Sequence, residues 1–597
     1  MSYIAPIKDL MFNIQYLADL DQLAKSIPEF ADTGTDTAQA VLEECAKLSQ
    51  DVLAPLNIVG DKNPAQYHAG QVITSPGFKE AFQKFAAGGW QGLEHPASFG
   101  GQGLPKTIGG ACLEIFCSAN LSFAHCPALT DGAIEALLMA GTPALQSTYL
   151  ARMIQGEWTG TMNLTEPQAG SDLSLIRTRA ESQPDGVYKI FGTKIFITYG
   201  EHDMAENIVH LVLARVKGAP EGVRGISLFV VPKFLVHADG SLGERNDVHC
   251  LSIEHKIGTH ASPTTVLQYG DHGGAIGYLV GEENRGLEYM FVMMNAARYQ
   301  VGVQGIGLAE MAYQKAVQYA RDRVQSRPVD GSMNTAAPII HHPDVKRMLM
   351  SMRALTEGCR ALASVAAAAY DTAHHHPNEE TRKQSQVFYE FMVPLVKGYS
   401  TEMSLEVTSL GVQVHGGMGF IEETGAAQFY RDVRILPIYE GTTAIQANDL
   451  VGRKTARDAG QFAMSLADQI EQTERALTSC SNPHAQAMAK RLADARNDFL
   501  LAVNYVVAHL KTDINAVYAG SVPYLMLAGN LMVGWQLARS LLVAEKLQGD
   551  GIDPQFMQAK ILTARAYADH ILPRTHGQLQ ALINGNEAVN SMPLDAY

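Results

Sequence analysis

"YRDVRILPIYEGTTAIQ", residues 430–446, sets a single carboxylate, Glu440, between an apolar run (Ile435, Leu436, Ile438) and a Gly-Thr-Thr turn suited to opening a helix. Two readings are open there. The dipole of a helix favours an acid at its N-terminus, which would make Glu440 an ordinary surface group. Apolar neighbours can instead desolvate the carboxyl, raise its pKa and suit it to proton abstraction as a general base. The rest of the chain has to decide between them.

At 597 residues the chain is too long for one simple core, and 46% hydrophobic with 18% charged residues describes an ordinary folded protein. A formal net charge of −15 argues against a nucleic-acid or anionic membrane surface, both of which need clustered Lys and Arg. Seven cysteines are scattered and never form a CxxC pair, so we expect reduced cytoplasmic thiols, no disulfide framework and no zinc or other metal site. The opening "MSYIAPIKDLMFNIQYLADLDQL" carries acids within its apolar run and lacks a basic start, unlike a signal peptide. Residues 514–538 hold no charge over a length that could cross a bilayer. However, Asn515, Ser521, Pro523, Asn530, Gln536 and three glycines point to buried helices, not a span. His374–His376, followed by "PNEE", reads as an exposed loop.

The texture changes along the chain. Residues 1–158 place apolar side chains at three- and four-residue spacing and read as helical. From 159 to 284 the runs are short, β-branched and alternating, as in "GTKIFIT", "NIVHLVLARV" and "GISLFVVPKF", and read as strands. Residues 285–455 return to long helical periods, and 456–597 form a further amphipathic helical block. The fold class is therefore α+β, in the order helical, β, helical, helical.

Glycine patterns give no Rossmann or Walker signature. Gly302, Gly305 and Gly307 lie inside a helical stretch, where small residues allow close packing. "NLTEPQAGSDLS", residues 163–174, strings Thr165, Gly170 and Ser171 around a tight turn whose N–H groups and hydroxyls could bond a polar ring or a phosphate. Plain turn chemistry explains it equally. In "TKIFITYG", residues 193–200, the period-two rule puts Phe196 and Thr198 on one face, either to hold a flat cofactor or as an ordinary half-buried strand. "QVHGGMGF", residues 413–420, interrupts a helix with glycines that suit close approach of a ligand or a connecting loop. Arg323 closes a long helix and by default is solvated.

Together "LTEPQAGSD", "GTKIFITYG", "QVHGGMGF" and "YRDVRILPIYEGTTAIQ", in this order and spacing, resemble the acyl-CoA dehydrogenase family of flavoenzymes from about residue 80 to 453. "YIAPIKDLMF", "LAPLN", "GGQGLP" and the block after 455 are similar to its large bacterial subgroup, which includes 3-methylthiopropanoyl-CoA dehydrogenases. The resemblance implies an N-terminal helical domain, a middle β-barrel-like domain, a C-terminal helical bundle and an extra C-terminal helical domain. It also implies FAD. Met162, Leu164, Thr165, Gly170 and Ser171 would line the flavin, with Ser171 shared with the acyl-CoA. Phe196, Ile197 and Thr198 would cover its other side; many relatives carry Trp in place of Phe196, so the stacking surface here is smaller. Arg323, Gln413, Gly416 and Gly417 would reach the cofactor from a partner subunit of a homodimer, and Thr442 and Ala444 would complete its contacts. Asn295, Arg298 and Gly441 would meet the substrate, although Asn295 replaces an acid of many relatives. Glu440 matches the catalytic base, and the alternative family position for that base is occupied here by Ala297, which cannot act.

The implied reaction is α,β-dehydrogenation of an acyl-CoA, with electrons passed to an electron-transfer flavoprotein. Medium- to long-chain fatty acyl-CoA in β-oxidation is the expected substrate, with 3-(methylthio)propanoyl-CoA as the alternative. An acyl-CoA oxidase would use the same base and flavin, and oxygen reactivity would separate it. A non-catalytic scaffold would not need Glu440.

Overall fold

The computed structural model describes residues 3–597. Helices build both ends of the chain and enclose a mixed sheet in the middle. The strands are β1 (Gln66–His68), β2 (Gln71–Ile73), β3 (Trp158–Asn163), β4 (Arg179–Ser182), β5 (Tyr188–Thr198), β6 (Asn207–Val216), β7 (Ile226–Pro232), β8 (Phe234–Val236), β9 (Leu242–Arg245), β10 (Val248–Ile253), β11 (Thr264–Tyr269) and β12 (Ala275–Val280). β1 and β2 correct the reading of residues 1–158 as wholly helical. They form a ribbon turned by Ala69 and Gly70, both at positive φ, the mirror-image turn that fits strand twist.

The main sheet runs β10-β11-β5-β12-β7-β6-β3, with β4 paired to both β5 and β6. β3 and β4 run parallel to β6, and the other pairs are antiparallel. β5 serves three neighbours: Tyr188–Ile190 pair with β12, Gly192–Thr198 pair with β11, and Tyr188–Phe191 also pair with β4. The core splits accordingly. One apolar cluster lies inside the sheet, one between the sheet and the helix Lys106–Ala140, and the largest joins the helices at both ends of the chain.

Two long helices pack against each other at the centre of the helical core. Lys106–Ala140 breaks at Asn120, whose side chain accepts the Phe123 N–H and so caps the second half. Gly286–Asp322 packs along it and against the helix Ser400–His415. Gly305 and Gly307 permit the close approach: a Cβ at Gly305 would lie 2.6 Å from the Ser404 hydroxyl, and one at Gly307 would lie 2.9 Å from the Ser118 backbone nitrogen. The uncharged stretch 514–538 folds as the helices Ile514–Ala519 and the first half of Ser521–Gly549, most of it buried. The helix Lys106–Ala140 is long and apolar enough to cross a membrane, and 94% of that apolar window is buried in this fold. His374 stacks on Tyr370 and His375 bonds Glu29, so the histidine triplet does not converge on one point.

Candidate active site

The wall predicted from "LTEPQAGSD" and "GTKIFITYG" is assembled around a buried carboxylate. Glu166 accepts the N–H groups of Arg177 (2.7 Å) and Thr178 (3.0 Å) and the Lys194 ammonium (2.9 Å). Burial alone would raise its pKa; Lys194 and these donors outweigh that and hold it down to about 2. Lys194 also bonds the Leu164 carbonyl, and the Ile195 N–H bonds the Thr165 carbonyl. Met162, Leu164 and Thr165 are thereby laced to Phe196, Ile197 and Thr198. Met162 and Ile197 bury their side chains in apolar cores, leaving backbone groups for a ligand. Gly170 and Ser171 are exposed at the loop tip, with open space beside Gly170.

Phe196 and Thr198 lie on either side of the buried Ile197, toward the open face of the strand, as period-two alternation expects, but the strand leading to them is irregular. Phe196 has φ +59° and Tyr199 φ +52°, so the strand turns left-handed twice. The pairing with β11 slips between Thr265 and Leu267, as at a bulge. Tyr199 turns inward and its hydroxyl bonds the Ser122 carbonyl, whereas the Phe196 ring is left 59% exposed.

Glu440 sits in a second left-handed turn, with φ +53°, followed by Gly441 at +89°. The Thr443 N–H closes that turn on the Pro437 carbonyl, and the Thr442 hydroxyl caps the helix Thr443–Asp449 by accepting from Ile445. Glu440 is half-buried with its charge neighbours Lys397 and Arg298; burial raises its pKa, and the two cations partly offset the rise. Arg298 is buried, 3.4 Å from Asn295 Oδ1 and 3.8 Å from Asp449. Ala297 is buried among apolar side chains. Tyr439, beside Glu440, directs its hydroxyl to Gln304 and to His125 Nε2. Ala444 is exposed on the helix that follows.

Arg323, Gln413, Gly416 and Gly417 form a separate exposed cluster where two helices end, Tyr319 stacking on His415 with ring centroids 4.3 Å apart. Arg323 lies 25 residues beyond Arg298 in the numbering, about 38 Å of helical rise. One chain therefore does not bring this cluster to Glu440. Gly416 (φ +58°) and Gly417 have no atom within 4 Å of where a Cβ would stand. An exposed aromatic ring, open backbone at Gly170 and a glycine–arginine cluster suit a flat ring system joined to a phosphate.

Reading the sequence alone missed Glu166, Lys194, Lys397, His125 and Gln304. A lone Lys in the apolar run "VPLVKGYS" was the available signal for Lys397.

Comparison with known proteins agrees with this geometry. Models of the acyl-CoA dehydrogenase N-terminal, middle and C-terminal domains match residues 35–157, 161–271 and 284–454, and an acetyl-CoA dehydrogenase C-terminal-like model matches 466–593. The chain is 55% identical over 572 residues to 3-methylmercaptopropionyl-CoA dehydrogenase of Ruegeria pomeroyi, covering 96% of each. It is 35% identical over 603 residues, again 96% of each, to a broad-specificity linear acyl-CoA dehydrogenase of Mycobacterium tuberculosis. A solved acyl-CoA dehydrogenase from Bacillus anthracis complexed with FAD shares the fold, with TM-score 0.75 and 21% identity over 93% of this chain and 89% of that one. The chain belongs to the acyl-CoA dehydrogenase family and is an FAD-dependent oxidoreductase of acyl-CoA thioesters.

Proposed function

We propose that Glu440 is the general base and that the preferred substrate is 3-(methylthio)propanoyl-CoA or a short acyl-CoA of similar shape. The observation that carries the assignment of the base is the left-handed turn at Glu440, which places a half-buried carboxyl, raised in pKa, between Arg298 and Lys397. A thioester α-proton is weakly acidic, so the base must be matched to it and the developing enolate oxygen must be hydrogen-bonded. The Glu440 N–H makes no backbone hydrogen bond among the described residues and is available as that donor. FAD, when bound, accepts the β-hydrogen as hydride. Thr165, Gly170, Ser171, Phe196 and Thr198 would hold its ring, with Thr442 and Ala444 beside it. Arg323, Gln413, Gly416 and Gly417 of a second copy would hold its diphosphate and adenosine. Electrons would then pass to an electron-transfer flavoprotein.

The similarity at 55% identity supports the methylthio substrate over the medium- to long-chain fatty acyl group expected from sequence. The linear acyl-CoA relative at 35% keeps a straight chain as the second reading. Anaerobic titration of the FAD-loaded protein with 3-(methylthio)propanoyl-CoA, butyryl-CoA, octanoyl-CoA and palmitoyl-CoA separates them. Bleaching strongest with the methylthio and butyryl substrates supports the proposal; strongest bleaching by palmitoyl-CoA overturns it.

A further inference from the structure

The helical run from Glu379 to His415 is not uniform. Pro394 ends its first segment, and Leu395–Tyr399 widen into a π turn before Ser400–His415 resume. Proline removes one helical N–H, and a π turn accommodates one extra residue and re-aims those that follow. All five residues of this turn are buried, and the one that carries a charge is Lys397, 0% exposed. Its ammonium donates a 2.6 Å hydrogen bond to the carbonyl oxygen of Gly441, the residue after Glu440. Gln446 Nε2 reaches the Glu440 and Gly441 carbonyls at 3.4 and 3.2 Å. The two left-handed residues that aim Glu440 are therefore held by the backbone from two sides.

A neutral donor such as Gln446 would suffice for that anchor, yet the chain buries a cation there. Burying a charge without an ion pair is costly. Among the described residues the Lys397 ammonium bonds a carbonyl and pairs with no carboxylate, and burial lowers its pKa to about 7 against the opposing pull of Glu440 and Glu402. Other charges around it are accounted for. Glu402 accepts the Thr443 hydroxyl, and Arg298 faces Asp449, which Arg453 also approaches at 3.5 Å. Glu390 pairs with Lys454, while Arg360 and Glu357 are tied to Asp9, Glu114, Glu310 and Lys560. The helix Ser521–Gly549 approaches the π turn with the uncharged Leu525 and Gly529.

We propose that Lys397 is a positioning residue for the dehydrogenation: it anchors the Gly441 carbonyl so that the left-handed turn aims Glu440, and its positive charge favours the carboxylate form that accepts the proton. This rests on Glu440 being the base. Removing the charge makes Glu440 harder to ionise, so the acidic limb of the kcat/KM profile moves to higher pH.

The test uses FAD-loaded Lys397→Met, which loses donor and charge, and Lys397→Gln, which keeps a donor and loses the charge. Glu440→Gln is measured beside them. We expect the acidic limb to rise by about one pH unit in both Lys397 variants, a roughly tenfold loss of kcat/KM below the limb, with FAD content unchanged. A wild-type limb in Lys397→Gln overturns the proposal and leaves Lys397 as a structural donor only. Wild-type turnover in Glu440→Gln instead overturns the base assignment. If Lys397→Met does not fold, the Gln profile alone decides.

Discussion

Lys194 and Glu166 form an ion pair, Nζ to Oε1 2.9 Å, with side chains 0% and 3% exposed, beneath the wall that joins Thr165 to Phe196. Removing one partner strands the other charge in the interior, which typically costs about 3–5 kcal/mol. Glu166→Gln should lower stability by that order and reduce bound FAD, measured by denaturant unfolding and flavin content. The double variant Glu166→Gln/Lys194→Met should cost less than the sum of the singles. Unchanged stability in Glu166→Gln would contradict the role given to the pair.

His210 is buried on β6 with Nδ1 2.8 Å from the Thr161 hydroxyl, and burial, then Lys233, lowers its pKa to about 3. The folded pKa lies below the unfolded value of about 6.5. Its contribution to stability is therefore present above pH 6.5 and lost as pH falls toward 3. At pH 5.5 the loss is about 1.4 kcal/mol. His210→Gln removes the titration, so between pH 7.5 and 5.5 the wild type should lose about that much more stability than the variant. Equal losses in urea unfolding would refute this.

The Phe196 ring is 59% exposed, so it contributes little to the core. Phe196→Ala should leave the apo melting temperature unchanged and weaken FAD retention about tenfold, or ~1.4 kcal/mol. Phe196→Trp should tighten retention by enlarging the stacking surface. Equal FAD affinity in all three proteins would remove Phe196 from the cofactor site.

Arg323 is exposed, and among the described residues its guanidinium bonds only Gln325, at 3.3 Å. Arg323→Gln should weaken FAD binding without a folding cost. Mixed subunits of Arg323→Gln and Phe196→Ala should recover one intact site per dimer, because the two residues would come from different copies. No recovery of flavin binding on mixing would place both contributions within one chain.

The turn that opens a helix after Glu440 and the interruption of a helix at Gly416 were legible in the sequence, because in each the turn-forming residues are contiguous. Glu166 was quoted but read as part of a turn, since its carboxylate works on Lys194, 28 residues away, through the fold. Lys397 and Gly441 are 44 positions apart, and they meet only in the folded chain, Lys397 from within the π turn. The β1–β2 ribbon has three-residue strands and an Ala-Gly turn in place of the stronger Asn-Gly signal. The bulge before Ile197 was not legible: Lys194 and Ile197 are both buried, because the left-handed Phe196 and the slip in pairing insert one extra residue between them. Local chemistry was readable; long-range placement was not.

If Glu440 takes the α-proton, its loss must stop flavin reduction without stopping substrate binding. FAD-loaded Glu440→Gln and wild type should be mixed anaerobically with 3-(methylthio)propanoyl-CoA while the flavin absorbance is followed. Wild type should bleach rapidly. The variant should show a shifted spectrum that reports binding, with bleaching slowed by about a thousandfold, within the usual range for loss of a general base. Bleaching of the variant at the wild-type rate would exclude Glu440 as the base.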